Sequence, residues 1–179
     1  MKLFKFGALS VIIITVIGAC ASSSGSVESS DTTATDSIFP SWYPSSEFGI
    51  DSLSYSGFAT AIAADSTIAL QRAEKQARLN LEKNVALLTE EIRTDMVKAG
   101  STDADNADFI IILRTAHAAL EEAASLNQSI AKATEGYYRG FASVEITRSQ
   151  IREVLGKGFT GHPRYWGGYS SSPGFAEHF

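Results

Sequence analysis

A chain of 179 residues carrying 20 acidic and 15 basic side chains, with a formal net charge of −5, is poorly suited to nucleic acid, whose phosphates demand clustered Lys and Arg. Its single cysteine excludes an intramolecular disulfide and any cysteine-rich metal site. Docking onto anionic lipid headgroups by charge is disfavoured for the same reason as nucleic-acid binding.

The first segment, MKLFKF, carries Lys2 and Lys5 and leads into an apolar run from Gly7 to Ile17 that only Ser10 and Thr15 interrupt. A positive start, an apolar centre and a small-residue end make up a secretory signal. The run falls well short of the roughly 20 apolar residues needed to cross a bilayer. Ile17-Gly18-Ala19-Cys20 resembles the bacterial lipobox, in which an aliphatic and two small residues precede a cysteine that is diacylated and becomes the new N-terminus. Residues 1–19 are therefore expected to be a lipoprotein signal peptide cleaved after Ala19, with Cys20 as the lipid attachment site. One acyl chain anchors marginally and two or more hold durably, since each buried CH₂ contributes about 0.8 kcal/mol. Ala21 in place of Asp after the cysteine favours passage to the outer membrane in many Gram-negative bacteria.

Without residues 1–19 the chain loses Lys2 and Lys5, leaving 13 bases against 20 acids and a net charge of −7. Residues 20–37 comprise the lipidated cysteine and a Ser/Thr-rich stretch with almost nothing to bury, expected to be a flexible tether. As a random coil it would span about 20 to 25 Å. Residues 38–157 then read as one α+β domain of ordinary single-core size. Phe39-Pro40-Ser41-Trp42-Tyr43-Pro44 predicts an extended entry pinned by its rings. Ser54 to Ala64 begins as a strand and ends before a helix cap at Asp65 or Ser66.

From Thr67 to Ala99, Leu70, Ala73, Ala77, Leu81, Val85, Leu88, Ile92 and Met96 recur every three or four residues and form one apolar stripe, which Gly100 terminates. A second helix is predicted from Ala104 to Leu126, capped by Asp103, with Phe109, Ile112, Leu113, Ala116, Leu120 and Ala123 buried. Between Ser129 and Thr147 the period becomes two, predicting a β-hairpin turned at Glu135-Gly136, whose Gly140 and Ala142 face lets a helix approach closely. A short helix is expected from Ser149 to Leu155, stopped by Gly156. The overall expectation is a small antiparallel sheet, formed by a strand, a long helical hairpin and a β-hairpin in chain order, packed on a long amphipathic helix. Residues 158–179, rich in glycine and aromatics without a steady period, predict an irregular or disordered tail, with the alternative that its aromatics bind a partner or rest at the membrane interface.

The lipobox, Pro40-Ser41-Trp42, Tyr55-Ser56-Gly57 and above all Ala69-x-x-x-Ala73-x-x-x-Ala77-Arg78-x-x-Leu81 resemble the LPP-twenty family of bacterial outer-membrane lipoproteins. That group includes FlgP-type flagellar lipoproteins and is related to the N-terminal domain of FlgT. The resemblance covers about residues 39–147. It implies a small exported α+β domain, lipid-anchored, non-enzymatic and without a cofactor, which often self-associates or joins envelope proteins. The glycine–aromatic tail and the long second helix depart from the group. Read from their own chemistry, Trp42, Gly57, Ala69, Ala73, Ala77 and Arg78 are packing residues, the alanines at i, i+4 and i+8 lying close on the sheet and Arg78 reaching solvent or a carboxylate.

Groups with catalytic or metal-binding potential are sparse. His117 and Glu121 have i, i+4 spacing, but a zinc site needs a third and fourth ligand, so His117 reads as an exposed helix histidine. His162 and His178 fall in the irregular tail, and Gly168-Tyr169-Ser170-Ser171-Ser172 lacks the second glycine of a nucleophile elbow. Glu90 and Glu91 are adjacent on a helix and diverge. The expected function is non-catalytic structure or assembly in the cell envelope, with no metal. The competing expectation is a module that binds a small apolar molecule or cell-wall fragment between sheet and helices.

Overall fold

The computed structural model describes residues 38–179, which form the expected α+β fold around one four-stranded antiparallel sheet. In chain order the elements are β1 (Phe48–Ile50), β2 (Ser54–Ala63), α1 (Ser66–Lys98), α2 (Ala107–Ala123), β3 (Ser125–Thr134), β4 (Tyr137–Thr147), α3 (Arg148–Gly158), α4 (Pro163–Ser170) and α5 (Pro173–His178). The strands lie in the order β1-β2-β4-β3. Residues 1–37, and with them the expected signal peptide, cleavage site at Ala19, lipid site at Cys20 and tether, lie outside the described residues.

Local chemistry sets the long helix. Asp65 caps α1 by accepting from the Thr67 and Ile68 amides at 2.8 and 3.0 Å. At the other end Gly100 adopts φ 93°, and the Ser101 and Gly100 amides return to the Met96 and Val97 carbonyls, both at 2.9 Å. That is a Schellman closure, which needs the left-handed conformation glycine tolerates. In between, strong helix formers surround the apolar stripe.

The face of the sheet beneath α1 carries small residues where the helix comes nearest. Along β2 it carries Tyr55, Gly57 and Ala59, paired in β4 with Ile146, Val144 and Ala142. Ala69, Ala73 and Ala77 of α1 are fully buried against it. A Cβ on Gly57 would lie 2.2 Å from the Ala77 carbonyl oxygen, and one on Gly140 would lie 2.4 Å from that of Ala69. Neither distance is tolerable, so α1 sits as near the sheet as backbone allows.

On the opposite face Phe39 and Tyr43 lie over Phe141, with ring centroids 5.5 and 5.2 Å away, and Tyr43 also meets Phe58 at 6.3 Å. The rings thus pin the entry to the side of the sheet away from α1, but the entry is not extended as expected: it turns at Ser41-Trp42, where the Tyr43 amide donates to the Pro40 carbonyl at 3.0 Å. The Glu135-Gly136 turn joins β3 to β4 with Gly136 at φ 81°.

Several expectations require correction. The second helix is shorter than predicted, because Asn106 rather than Asp103 caps it, accepting from Asp108 at 2.8 Å, and the chain leaves helix at Ala124 to start β3. The hairpin correspondingly begins at Ser125, and β1 is an added edge strand. Helix α3 passes Gly156, which packs against the Trp166 ring, and reaches Gly158, where the chain runs close to Ala116 of α2.

The largest correction concerns residues 158–179, which were expected to be disordered and instead form α4 and α5. Both helices place proline in the first turn, where its missing N–H costs nothing, and Ser172 caps α5. Their rings build a second apolar cluster, in which Tyr169 meets Phe109 at 5.5 Å and Phe175 at 5.3 Å. Phe175 meets Phe179 at 5.3 Å, and Phe179 meets Tyr55 of the sheet at 5.8 Å. The folded body therefore extends past residue 157 to Phe179. Arg148 ties this end down, donating to the Glu177 and His178 carbonyls at 3.2 and 2.7 Å and to the Asp51 carbonyl at 3.1 Å. The Tyr55 hydroxyl also donates to the His178 carbonyl.

Candidate functional site

The family-motif residues divide between the two sides of the sheet. Gly57, Ala69, Ala73 and Ala77 come together in the α1–sheet seam, whereas Trp42 lies on the other side, 5.9 Å from Tyr43. Arg78 leaves the seam sideways. Its guanidinium pairs with Glu74 at 2.7 Å and donates to the Glu121 and Ala124 carbonyls at 2.9 and 2.5 Å. Those carbonyls lie at the C-terminal end of α2, where orphan acceptors and the negative end of the helix dipole favour a cation. Arg78 thus satisfies backbone acceptors as well as a carboxylate.

His117 is not the exposed residue its sequence context suggested. It is 7% exposed, and its Nε2 lies 2.7 Å from Oγ1 of the buried Thr89. Thr89 spends its own hydroxyl proton on the Ala86 carbonyl at 2.8 Å, so Oγ1 accepts and the neutral imidazole carries its proton on Nε2. The Tyr169 hydroxyl donates to the Thr89 carbonyl at 3.0 Å, joining α4 to the same point on α1. Burial pushes the His117 pKa down to about 4, with Glu90 opposing and Arg114 reinforcing the shift. Burial raises the Tyr169 hydroxyl well above its ordinary range. Removing that hydroxyl, as Tyr169→Phe, is expected to cost about 1 kcal/mol, measured as a lower urea midpoint with unchanged slope.

The remaining polar groups make structural contacts. Ser170, Ser171 and Ser172 donate to the Trp166, Gly167 and Tyr169 carbonyls at 2.8, 2.7 and 2.7 Å, which ties each hydroxyl to its own helical turn. His162 precedes α4 and stacks on Tyr165 at 5.8 Å, and His178 ends α5. Neither histidine therefore lies in irregular chain. Glu90 is held by Arg93 at 2.6 Å, which keeps its carboxyl below the usual range, and Arg93 also donates to the Ala104 carbonyl at 3.0 Å. Burial and the facing Glu121 raise the Glu82 carboxyl. Among the described residues no group of three or more His, Cys, Asp or Glu is placed to hold a metal ion. Likewise among them, no helix is long and apolar enough to cross a membrane.

A ligand held between sheet and α1 has no room at Gly57 or Gly140, where even a methyl would collide with helix backbone. An open cleft of about 530 Å³ lies between α2 and α3, floored by Ala116, Ala119 and Ala123 and rimmed by Glu122 and Lys157. Its polar side chains do not converge on a reacting position. The chain matches no family model, and comparison with curated proteins and with solved structures finds no match.

Proposed function

We propose that this protein is a lipid-anchored lipoprotein of the cell envelope, held at the outer membrane, whose α+β body has a non-catalytic role in structure or assembly. The observation that carries the reading is the placement of the chain's one cysteine directly behind Ile17-Gly18-Ala19 at the end of a signal-like apolar run. The use of Arg78, Arg93, His117 and the tail serines in structural bonds supports a body that presents surfaces rather than a reaction centre. The LPP-twenty resemblance supports the same role, with envelope proteins or further copies of the chain as partners.

Intact mass and membrane fractionation of the wild type beside Cys20→Ser test it. The wild type is expected in the membrane fraction with added acyl mass, and Cys20→Ser in the soluble fraction without it. Recovery of an unmodified wild type as a soluble protein would sink the proposal.

A further inference from the structure

The two edges of the sheet are unlike. β1 is three residues long and lies between Glu47 and Asp51, the short and charged form that discourages further pairing. β3 closes the other side, and among the described residues it pairs with β4 alone. It is ten residues long, holds no proline, and its first six residues are exposed. No acidic residue occurs from Ala123 to Thr134, in a chain that is acidic overall. A register shift between Leu126 and Gln128 marks a bulge at Asn127, whose side-chain amide donates to Glu145 at 3.2 Å. Beyond the bulge residues 128–134 pair regularly with β4 and carry Ile130, which is 40% exposed. Alternate N–H and C=O groups of such an edge point away from the sheet and require a partner or water.

We propose that β3 pairs antiparallel with β3 of a second copy about a two-fold axis at Ile130, joining two four-stranded sheets into one continuous sheet. The inference rests on the reading of this body as an assembly module; the anchor strengthens the pairing but does not create it. Charge favours a second copy as the occupant. Elsewhere two acidic bodies repel, but along residues 123–134 they meet without an acid on either side. Symmetry favours it too, since an antiparallel ladder between identical strands is self-complementary and closes after two copies. The possible registers differ in what they oppose. Centring on Lys132 sets like charges face to face, and centring on Ala131 sets Ile130 against that lysine. Centring on Ile130 packs this side chain against its own copy, with Lys132 opposite the neutral Gln128 and Ser129 opposite Ala131. A ladder this short, without a packed core, is weak by itself. Copies sharing one membrane populate it because confinement raises their effective concentration.

Disulfide trapping in membranes that carry the full chain tests this register, with intact mass recorded on the same samples. Opposed residues of an antiparallel ladder have Cα atoms about 4.5 to 5.5 Å apart, within disulfide reach. Ile130→Cys is therefore expected to give a dimer on mild oxidation. Gln128→Cys, about 13 Å from its own copy in this register, is expected to stay monomeric. The wild type is expected to stay monomeric as well, because acylation leaves its one cysteine no free thiol. Sedimentation in detergent is the second measure. Ile130→Lys sets two cations against each other on the axis and is expected to weaken dimerisation roughly tenfold, with an unchanged urea midpoint. An acylated Ile130→Cys chain that stays monomeric overturns the pairing, leaves the anchor standing, and leaves the edge to an extended segment of another protein. Equal trapping of Gln128→Cys also overturns it, because random collision ignores register, as does wild-type dimerisation of Ile130→Lys. A wild-type disulfide dimer without acyl mass overturns the anchor alone, and the two cysteine variants on Cys20→Ser then decide the pairing.

Discussion

Gly140→Ala is expected to destabilise the folded body by about 3 kcal/mol, while the same change at Gly167 stabilises it by about 0.5 to 1 kcal/mol. The two glycines differ in what a new methyl meets. At Gly140 it meets the Ala69 carbonyl oxygen at 2.4 Å, its carbon at 2.5 Å and the Leu70 nitrogen at 2.8 Å. All three belong to the backbone of α1, so no rotamer change relieves the clash and the helix must lift from the sheet. Lifting it loosens Ala69, Ala73 and Ala77 together, and packing attraction falls steeply over a fraction of an ångström. Gly57→Ala strikes the Ala77 carbonyl at 2.2 Å and is expected to act alike. A methyl on Gly167 meets nothing within 4 Å and replaces a flexible residue inside α4, so it chiefly narrows the unfolded ensemble. Urea unfolding of the three single variants checks this. Wild-type midpoints for Gly140→Ala and Gly57→Ala would mean that helix and sheet are not in backbone contact.

That seam was legible because two independent periodicities point at it. Alanines at every fourth position leave a helix with a shallow groove, and small residues at every second position of β4 leave a sheet face to fill it. Neither pattern needs tertiary information, and each makes sense only with the other. The tail was illegible by the same logic, since α4 and α5 are too short to display a period and their glycines argue against helix. The signals present were subtler. Proline in the first turn of each, the Ser172-Pro173 start, and aromatics four apart at Tyr165/Tyr169 and Phe175/Phe179 mark one apolar side. His117 stands four residues after Leu113 and three before Leu120, which puts it on the buried stripe of α2. Its polarity argued for exposure, and only Thr89, twenty-eight residues earlier in sequence, supplies the partner that lets it be buried. The candidate site divides similarly. The packing role of the alanines follows from spacing, but the hold of Arg78 on the Glu121 and Ala124 carbonyls exists only once the end of α2 lies beside α1.

The buried histidine also sets a pH dependence whose sign follows from its direction of shift. The unfolded chain gains a proton at His117 near pH 6.5, its ordinary value, while the folded chain resists until about pH 4. Between those values the unfolded state binds more protons, so stability rises with pH across the window. The contribution is complete above about pH 6.5, is lost as pH falls, and levels off below about pH 4, amounting to about 3 kcal/mol in all. A charged imidazolium would keep its Nε2 donation to Thr89 but add a second N–H and a charge in an apolar setting, with Arg114 near enough to oppose it and Glu90 to favour it. Carboxylates titrate lower and must be separated from this effect. Asp51, Glu90 and Glu153 are depressed and withdraw stability as pH falls below the ordinary carboxylate range, whereas the raised Glu82 adds stability as pH falls through the interval just above that range and so opposes His117 there. His117→Gln supplies the subtraction, because its amide donates to Thr89 Oγ1 without titrating. Urea midpoints of the wild type are expected to fall steadily from pH 7 to about pH 4.5, and those of His117→Gln to stay nearly level until the carboxylates begin to protonate. Parallel curves for the two proteins over that interval would show that His117 is hydrated or paired when protonated, and would remove the Thr89 cluster as the source of acid sensitivity.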